Sequence, residues 1–267
     1  MILIYLVFKI SEGWPMWDPV RYLQFAHHRD RPFHELTARV GATETTEIVD
    51  LGCGPGTLTS ALAARWPGAH VVGVDSSAEM IAATPDDGAV EFVHADLRSY
   101  TPQRPVDVLV CNATLQWVPG HLDLLPDLAG HLAADGWLAF QVPGNFGEPA
   151  HVLLRELAAS SRWSGRLDIT WPSAHQPSEY LDALLGLGLE ADVWETTYLQ
   201  VLAGEDAVLE WMSGTALRPV LAALAADGAD QFVEEYRRLL RAAYPRGPHG
   251  TLLPYRRVFA VAHRNRA

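Results

Sequence analysis

The sequence predicts an α/β protein whose core is a doubly wound, mostly parallel β-sheet. Three observations predict this fold class: short β-branched runs alternate with helical segments between residues 47 and 143, a glycine-rich turn follows the first run, and 49% of the 267 residues are hydrophobic. Strands that alternate with helices form a parallel sheet with both faces covered. A chain of this length and composition can bury one large core with helical segments appended to it.

The first elements are predicted in a stretch rich in aromatic residues and histidines, residues 17–41. Asp18-Pro19 can open a helix there, and Pro32 restarts the chain, so we expect two short helices. The alternation of strands and helices follows. We predict strands at 47–51, 70–75, 90–95, 106–112 and 136–143, and helices at 57–66, 77–84 and 121–132, the last interrupted by Pro126.

The pattern changes after residue 146, where helical segments predominate. Alternating β-branched and aromatic residues predict two further strands, at 191–202 and 255–264. We expect helical insertions around residues 147–176 and 204–250, which can form a cap over the ligand edge of the sheet. Helices are predicted at 149–171, 178–188, 206–224 and 230–244.

The N-terminal segment MILIYLVFKI is predicted to lie outside the fold. Its apolar run is about seven residues long, whereas a membrane span needs about 20, and neither a basic segment nor a small-residue cleavage site marks a signal peptide. These ten residues hold three of the six isoleucines and the only lysine, Lys9. We therefore expect residues 1–15 to be an extension, residues 16–45 to form helices over the ligand site, and residues 46–267 to form the main domain.

Charge and cysteine content limit the classes of partner. The chain has 20 basic and 32 acidic residues, a formal net charge of −12, and nucleic-acid binding relies on a basic surface. We therefore expect no nucleic-acid partner. The two cysteines form no CxxC and have no matching histidine pair, so we expect neither a metal site nor a disulfide framework. Together these features indicate a cytoplasmic protein without a membrane partner.

The stretch VDLGCGPGTLTS, residues 49–60, points to the ligand. Gly52, Gly54 and Gly56 follow an apolar run and an aspartate and precede a helix. Ligands of open α/β sheets bind at the carboxyl ends of the strands, where glycines let the backbone approach them without a side chain in the way. Thr57 stands where a dinucleotide motif has its last glycine, and the lysine of a phosphate loop is absent. These features disfavour a nicotinamide cofactor and a nucleoside triphosphate.

Two aspartates at strand ends refine the ligand prediction. Asp75 ends the second strand, 19 residues after Gly56, where a carboxylate can accept two hydrogen bonds from ribose hydroxyls. Asp96 ends the third strand, in HADLR, and is placed to accept from an adenine amino group. The site therefore suits a nucleoside without a pyrophosphate.

Four ordered stretches resemble the class I S-adenosylmethionine-dependent methyltransferases: VDLGCGPGT, VGVDSSAEM, FVHADLR and VDVLVCNATLQWV. From Trp17 to Arg264 the chain looks like the trans-aconitate methyltransferases, on stretches such as WDPVRYLQFAHHRDRP, FQVPGNFGEPAH and LLPYRRVFAVA. The resemblance implies S-adenosyl-L-methionine as the cofactor and, for residues 46–267, a Rossmann-like sheet of seven strands whose last strand is antiparallel. We expect a monomer or a weak homodimer.

The resemblance and the placement at strand ends together assign the cofactor residues. They lie at or after the ends of the first four strands: Asp50, Gly52, Cys53, Gly54, Asp75, Ser76, Met80, Asp96, Leu97, Asn112, Ala113 and Gln116. The implied reaction moves a methyl group from the cofactor sulfonium to a carboxylate oxygen of trans-aconitate or a similar small polycarboxylate. The ordinary pKa of a carboxyl group is about 4, so it is ionised at neutral pH and needs no general base. We therefore nominate no catalytic acid or base and expect Gln116 and Trp117 to position the reactants.

A polycarboxylate needs cations, and the planar fork of arginine binds carboxylates bidentately. Residue type and placement nominate the substrate residues, which are Arg29, Arg31, Trp117, Tyr198, Arg218 and Arg257. Arg256 is the alternative to Arg257. These adjacent side chains would point to opposite sides of a strand, so at most one of them should face the pocket.

Two other functions stay open. The same fold can methylate another small nucleophile, a phenol or a carbon acid, and His27, His28 or His151 would then have to supply a base. The chain can also be a nucleoside-binding regulator that keeps the fold and transfers nothing.

Overall fold

The computed structural model describes residues 26–224 and 228–265, with side chains from Asp30 onward. The predicted extension at residues 1–15 and the start of the first predicted N-terminal helix lie outside the described residues. No helix within the described ranges combines the length and the apolar character that a membrane span requires. The same residues contain no group of three or more histidine, cysteine or acidic side chains arranged to hold a metal ion.

A seven-stranded sheet runs through the chain in the order β3-β2-β1-β4-β5-β7-β6. The pairs among β1 to β5 are parallel, and β7 runs antiparallel to β5. The predicted doubly wound, mostly parallel sheet with an antiparallel last strand is therefore confirmed. The strands are β1 (Glu47–Leu51), β2 (His70–Asp75), β3 (Glu91–His94), β4 (Val106–Asn112), β5 (Leu132–Pro143), β6 (Glu190–Leu202) and β7 (Thr251–His263).

Helices lie between most of the consecutive strands, whereas turns alone connect β3 to β4. The sheet order reverses between β1 and β4, which is the point where open α/β sheets bind their ligands. The helices are α1 (Ala26–Thr37), α2 (Thr57–Arg65), α3 (Ala78–Ala82), α4 (Leu125–Gly130), α5 (Pro149–Ala159), α6 (Pro177–Gly186), α7 (Ala207–Ser213), α8 (Arg218–Leu224) and α9 (Ala229–Ala243), with short 3₁₀ turns at Leu115–Trp117 and His121–Leu124.

The predicted restart of the chain at Pro32 is wrong, because Pro32 lies inside α1. A proline there removes one helical hydrogen bond. The helix continues because Phe33 and Leu36 are buried on one face, which stabilises it by more than the lost bond costs. The Thr37 hydroxyl also donates to the Phe33 carbonyl oxygen, over 2.9 Å.

Several other element boundaries differ from the prediction, and strand β7 begins at Thr251 rather than at residue 255. The helix predicted at 149–171 ends at Ala159, because Ser160 turns to an extended conformation. The helix predicted at 206–224 divides into α7 and α8, with Gly214 as the C-cap of α7. Strand β5 begins at Leu132 rather than residue 136, because Leu132 pairs with Val106 across a register shift. In these last three cases a tertiary contact or a cap outweighed local pattern.

The described residues form two compact units. The sheet unit contains residues 28–144, 172–196 and 256–265, and the helical unit contains 145–171, 197–224 and 228–255 together with the start of α1. The core of the sheet unit is built from apolar side chains of both sheet faces and the helices on them, among them Val49, Leu109, Phe140, Leu184 and Val258. Burial of such side chains is the main stabilising contribution to this unit.

The helical unit has a core of aromatic residues along one face of α9. Phe232, Tyr236 and Leu240 are buried there at helical spacing. Phe232 packs edge-to-face on Trp163 with ring centroids 5.3 Å apart, and the Tyr236 hydroxyl donates to the Ala150 carbonyl oxygen over 2.8 Å. The hydrogen bond and the ring contact join α9 to α5 and the segment after it.

Candidate active site

The carboxyl ends of β1, β2 and β4 lie next to one another in the sheet unit. Leu51 pairs with Val74, one residue before the end of β2, and Asp50 pairs with Val110 in β4. The turn after β1 and the loop after β4 therefore begin at the same edge of the sheet. The predicted cofactor residues of all four strand ends belong to this unit.

The three glycines of the turn after β1 serve different purposes. All have positive φ, 78° at Gly52, 56° at Gly54 and 77° at Gly56, a conformation that glycine adopts without strain. A Cβ on Gly52 would lie 2.2 Å from Thr114 Oγ1, and one on Gly56 would lie 2.5 Å from the Phe92 ring. A Cβ on Gly54 would meet no atom within 4 Å. Gly52 and Gly56 therefore make room for protein side chains, whereas a side chain at Gly54 would enter space that no described residue occupies.

Asp75 joins the glycine turn to the end of β2. Its Oδ2 accepts from the backbone N–H of Gly54 over 2.9 Å, and its Oδ1 accepts from the backbone N–H of Ser77 over 2.8 Å. Each carboxylate oxygen can accept more than one hydrogen bond, so capacity for hydroxyl donors remains. In the segment that follows Asp75, Ser76 is exposed and Met80 is half-buried.

Asp50 lies beneath the glycine turn and is 2% exposed. The Thr59 hydroxyl donates to its Oδ2 over 2.6 Å, whereas its Oδ1 has no hydrogen-bond partner among the described residues. Burial raises the pKa of Asp50 to about 6, and the nearby Asp75 charge acts in the same direction. An unpartnered buried acceptor of this kind is suited to a donor group of a bound ligand.

Asp96 follows β3 and is held by Arg98. The Arg98 guanidinium donates to both carboxylate oxygens of Asp96, and the Arg98 backbone N–H donates to Asp96 Oδ1 over 2.9 Å. This pairing holds the pKa of Asp96 below its usual value. The carboxylate is therefore ionised and acts as an acceptor only, as the adenine prediction requires. Leu97 packs its side chain against the core of the sheet unit.

The loop after β4 contains a strained residue. Ala113 has a φ of 54° without being glycine, and such residues concentrate at functional sites. Its backbone N–H donates to the Gln141 carbonyl oxygen over 2.9 Å, and its carbonyl oxygen accepts from Gln116 Nε2 over 2.6 Å. Gln116 Oε1 is buried and lacks a partner among the described residues. The loop is thus held by its own hydrogen bonds while one acceptor is left for a ligand.

Both cysteines of this edge are free and buried. Burial raises the pKa of the Cys53 and Cys111 thiols well above the usual value. The thiols therefore stay protonated, and the thiolate is the nucleophilic form. No covalent chemistry is assigned to them.

The predicted substrate residues fall in both units. Arg31 is exposed and pairs with Glu35, Trp117 is 54% exposed and Arg257 is 5% exposed, all in the sheet unit. Tyr198 and Arg218 belong to the helical unit. Tyr198 is buried, and Arg218 is half-buried as the first residue of α8, where burial lowers its pKa from the usual value. The Arg29 side chain lies outside the described side chains.

Arg256 and Arg257 bind different partners, as expected for adjacent strand residues. Arg256 donates to Glu195 and to the Gly144 carbonyl oxygen. Arg257 Nη1 donates to Gln141 Oε1 over 2.9 Å. Gln141 is fully buried and was not predicted as a site residue. The signal that could have revealed it is a glutamine within the apolar strand sequence LAFQVP.

A second buried polar pair was also missed. His121 is fully buried after the β4 loop, and its Nε2 lies 2.7 Å from the Tyr180 hydroxyl of α6. Burial lowers the pKa of His121, so its imidazole is neutral at neutral pH. Ser173 joins the same segments through its backbone N–H, which donates to the Gln116 carbonyl oxygen over 3.3 Å. These contacts hold the 3₁₀ turn at Leu115–Trp117, which contains Gln116 and Trp117.

Comparison with known proteins agrees with this geometry. A family model described as a methyltransferase domain matches residues 25–192. A Streptomyces avermitilis protein named trans-aconitate 2-methyltransferase is 53% identical over 262 residues, which cover 94% of this chain and 97% of the relative. A Streptomyces coelicolor protein of the same name is 52% identical and covers 94% of this chain and 87% of the relative. The chain belongs to the trans-aconitate 2-methyltransferase family.

Solved structures support the fold. The YcgJ protein of Bacillus subtilis superposes with a TM-score of 0.57 at 13% identity, over 90% of this chain and all of that chain. Family membership confirms that the chain is a methyltransferase and that its cofactor is S-adenosylmethionine. The described residues fit that cofactor, because the space beside Gly54 is open and the acceptors Asp50 Oδ1 and Gln116 Oε1 have no partner among them.

Proposed function

We propose that this methyltransferase transfers the methyl group of S-adenosylmethionine to a carboxylate oxygen of trans-aconitate or a similar small polycarboxylate, giving a monomethyl ester. One observation carries the proposal. The identity to relatives named for this reaction extends over 94% of the chain, well beyond the methyltransferase domain that ends at residue 192. The substrate candidates Tyr198, Arg218 and Arg257 lie in this further part of the chain.

The chemistry of the edge agrees with a carboxylate acceptor. The cofactor supplies an electrophilic methyl group when it is bound, and a carboxylate is a ready nucleophile at neutral pH. Of the described titratable groups at this edge, the thiols of Cys53 and Cys111 are protonated and Asp96 is paired with Arg98, so none of these three is suited to deprotonate a neutral acceptor. The contribution of the protein is then to hold the reactants in line and to exclude water, and positioning supplies roughly 7 to 11 kcal/mol.

Residues of the chain have defined tasks in this scheme. Asp75 and the open backbone at Gly54 hold the nucleoside end of the cofactor, and Asp96 accepts from its adenine amino group. Gln116 and Trp117 position the reacting groups. Arginines would bind the carboxylates that are not methylated, and residue type keeps Arg218 among the candidates.

Two other arginine candidates already have partners within the sheet unit. Arg31 already pairs with Glu35, and the side chain of Arg257 is committed to Gln141.

Both cysteines are free thiols, so the reducing cytoplasm remains the predicted location. The absence of a nucleic-acid partner and the monomeric or weakly dimeric state remain predictions.

The test is a methyl-transfer assay with S-adenosylmethionine and trans-aconitate, cis-aconitate, citrate or isopropylmalate, with product masses recorded. The expected result is a monomethyl ester that forms fastest on trans-aconitate. Arg218→Ala should raise the KM for the acceptor by on the order of tenfold or more, with Arg238→Ala, an exposed arginine of α9, as the matched control. Cofactor binding without turnover on any of the four acids would refute the proposed substrate.

A further inference from the structure

Two consecutive hydrogen bonds with the same donor-to-acceptor direction link side chains of three strands at the ligand edge of the sheet. Arg257 Nη1 of β7 donates to Gln141 Oε1 of β5 over 2.9 Å, and Gln141 Nε2 donates to Asn112 Oδ1 of β4 over 2.6 Å. Asn112 and Gln141 are paired in register, and Arg257 is paired with Pro143, two positions along β5. Residues two apart on a strand share a face, so the three side chains lie on one face.

Arg257 sets the donor-to-acceptor direction of these two hydrogen bonds. An amide side chain has an acceptor at one end and a donor at the other, whereas a guanidinium can only donate. Gln141 must therefore turn its oxygen toward Arg257 and its NH₂ group toward Asn112. Asn112 must accept with Oδ1, which turns its own Nδ2 group away from Gln141. The guanidinium thus decides, through one intermediate, which atom Asn112 presents at the end of β4.

The Nδ2 group of Asn112 is a donor with no acceptor among the described residues. Asn112 is half-buried, whereas Gln141 is 0% and Arg257 5% exposed. Burying a polar side chain costs free energy unless it is hydrogen-bonded, and Gln141 meets this requirement through its contacts with Arg257 and Asn112. The neighbouring acceptors, Asp50 Oδ1 and Gln116 Oε1, are suited to ligand donors, whereas Asn112 offers the opposite polarity.

We propose that Asn112 Nδ2 donates to a carboxylate oxygen of a bound ligand, and that Arg257 is a positioning residue that fixes this polarity through Gln141. This inference rests on the proposed function, and it replaces direct substrate contact as the role of Arg257. Two carboxylates could be the acceptor: the amino-acid carboxylate of the cofactor or a carboxylate of the methyl acceptor. The shared chemistry is an anionic oxygen that needs an N–H donor.

Two substitutions reverse the polarity by different routes. Asn112→Asp keeps the acceptor that faces Gln141 and replaces the ligand-facing donor by an acceptor. Gln141→Glu presents acceptors to both neighbours, so Asn112 must turn its Nδ2 group inward and its oxygen toward the ligand. Both should weaken binding of the same ligand by on the order of tenfold or more. Gln103→Glu, an exposed position, is the control for the added charge.

Two calorimetric and kinetic measurements distinguish the ligands. S-adenosylhomocysteine affinity, measured by titration calorimetry, responds if the cofactor carboxylate is bound, and the KM for trans-aconitate responds if the acceptor carboxylate is bound. Arg257→Lys keeps a donor-only group and should retain more affinity than Arg257→Gln, which can turn either end toward Gln141. A merely structural role would move the thermal unfolding midpoint without this order of affinities.

Side-chain amide signals in ¹H–¹⁵N spectra provide an independent test. The Asn112 NH₂ pair, identified by its loss in Asn112→Asp, should shift when S-adenosylhomocysteine or trans-aconitate is added. If Gln141→Glu does not fold, Asn112→Asp still tests the contact between Asn112 and the ligand, because it keeps the hydrogen bonds from Arg257 to Gln141 and from Gln141 to position 112. Unchanged affinity of Asn112→Asp for both ligands overturns the proposal, whether or not the wild-type chain methylates trans-aconitate.

Discussion

Replacing the glycines of the turn after β1 one at a time should separate ligand binding from folding. Alanine at Gly52, Gly54 or Gly88 would have to adopt a positive φ, of 78°, 56° or 73°, which costs about 1–2 kcal/mol in each case. Gly88 serves as a matched control, because it is exposed and a Cβ there also meets nothing within 4 Å. Backbone strain alone should therefore lower the stability of Gly54→Ala and Gly88→Ala by similar amounts.

Gly52→Ala adds a collision to this strain. Its methyl group would lie 2.2 Å from Thr114 Oγ1 and 2.4 Å from Thr114 Cγ2, and both atoms belong to a branched side chain that bonds the Gly52 and Asn112 carbonyl oxygens. Overpacking of this kind costs about 1–3 kcal/mol beyond the strain. Gly52→Ala should therefore be clearly less stable in urea unfolding than the other two variants.

Ligand binding should show a different order. Gly54→Ala places a methyl group in the open space beside the turn, so its affinity for S-adenosylhomocysteine should fall at least about tenfold, which corresponds to about 1.4 kcal/mol. Gly88→Ala should bind as the wild-type chain does. Titration calorimetry measures both. The reasoning is refuted if Gly54→Ala binds normally, or if it loses as much stability as Gly52→Ala.

Three other predictions follow from buried groups and from the nature of the acceptor. Burial raises the pKa of Asp50 to about 6, so between about pH 4 and 6 the folded chain retains a proton that the unfolded chain releases, and Asp50 lowers the free energy of unfolding as the pH rises. Asp50→Asn should remove this decrease, which amounts to about 2–3 kcal/mol over the range. Urea unfolding at several pH values measures it, and an unchanged pH dependence would contradict the prediction. Tyr180→Phe removes the hydroxyl 2.7 Å from His121 Nε2 and should lower the free energy of unfolding by about 1–3 kcal/mol, whereas an unchanged thermal midpoint would show that the pair does not hold the loop. The methylation rate of trans-aconitate should vary less than about twofold between about pH 7 and pH 9, because its carboxylates are already ionised; a tenfold rise per pH unit would indicate a base-dependent acceptor instead.

Much of the ligand edge was predictable because its signals are local. Strand EIVDL, the glycines after it and Asp75 at the end of HVVGVD lie within 29 residues, and hydrophobic periodicity places each at a strand end. Parallel strands bring their carboxyl ends to one edge, so no further information was needed to group Asp75 with Gly54. The hydrogen bond between them, over 2.9 Å, agrees with this grouping.

Other features needed the register of the sheet. Thr114 and Phe92 explain Gly52 and Gly56, but they are 62 and 36 positions away in the chain, and only the folded strands bring them within 3 Å of the glycine positions. The sequence alone therefore identified where glycine is needed without showing what each glycine avoids. A pattern of residue types contains no distances between strands.

The sequence by itself determined the fold class, the methyltransferase motifs and the strand-end aspartates, since these depend on periodicity, turn chemistry and short spacing. Tertiary structure alone decided that helix α1 continues through Pro32 and that Arg257 is committed to Gln141, 116 positions away. Both outcomes depend on burial against distant residues. Burial energy and long-range hydrogen bonds are properties of the packed chain, and they outweigh local preference when the two conflict.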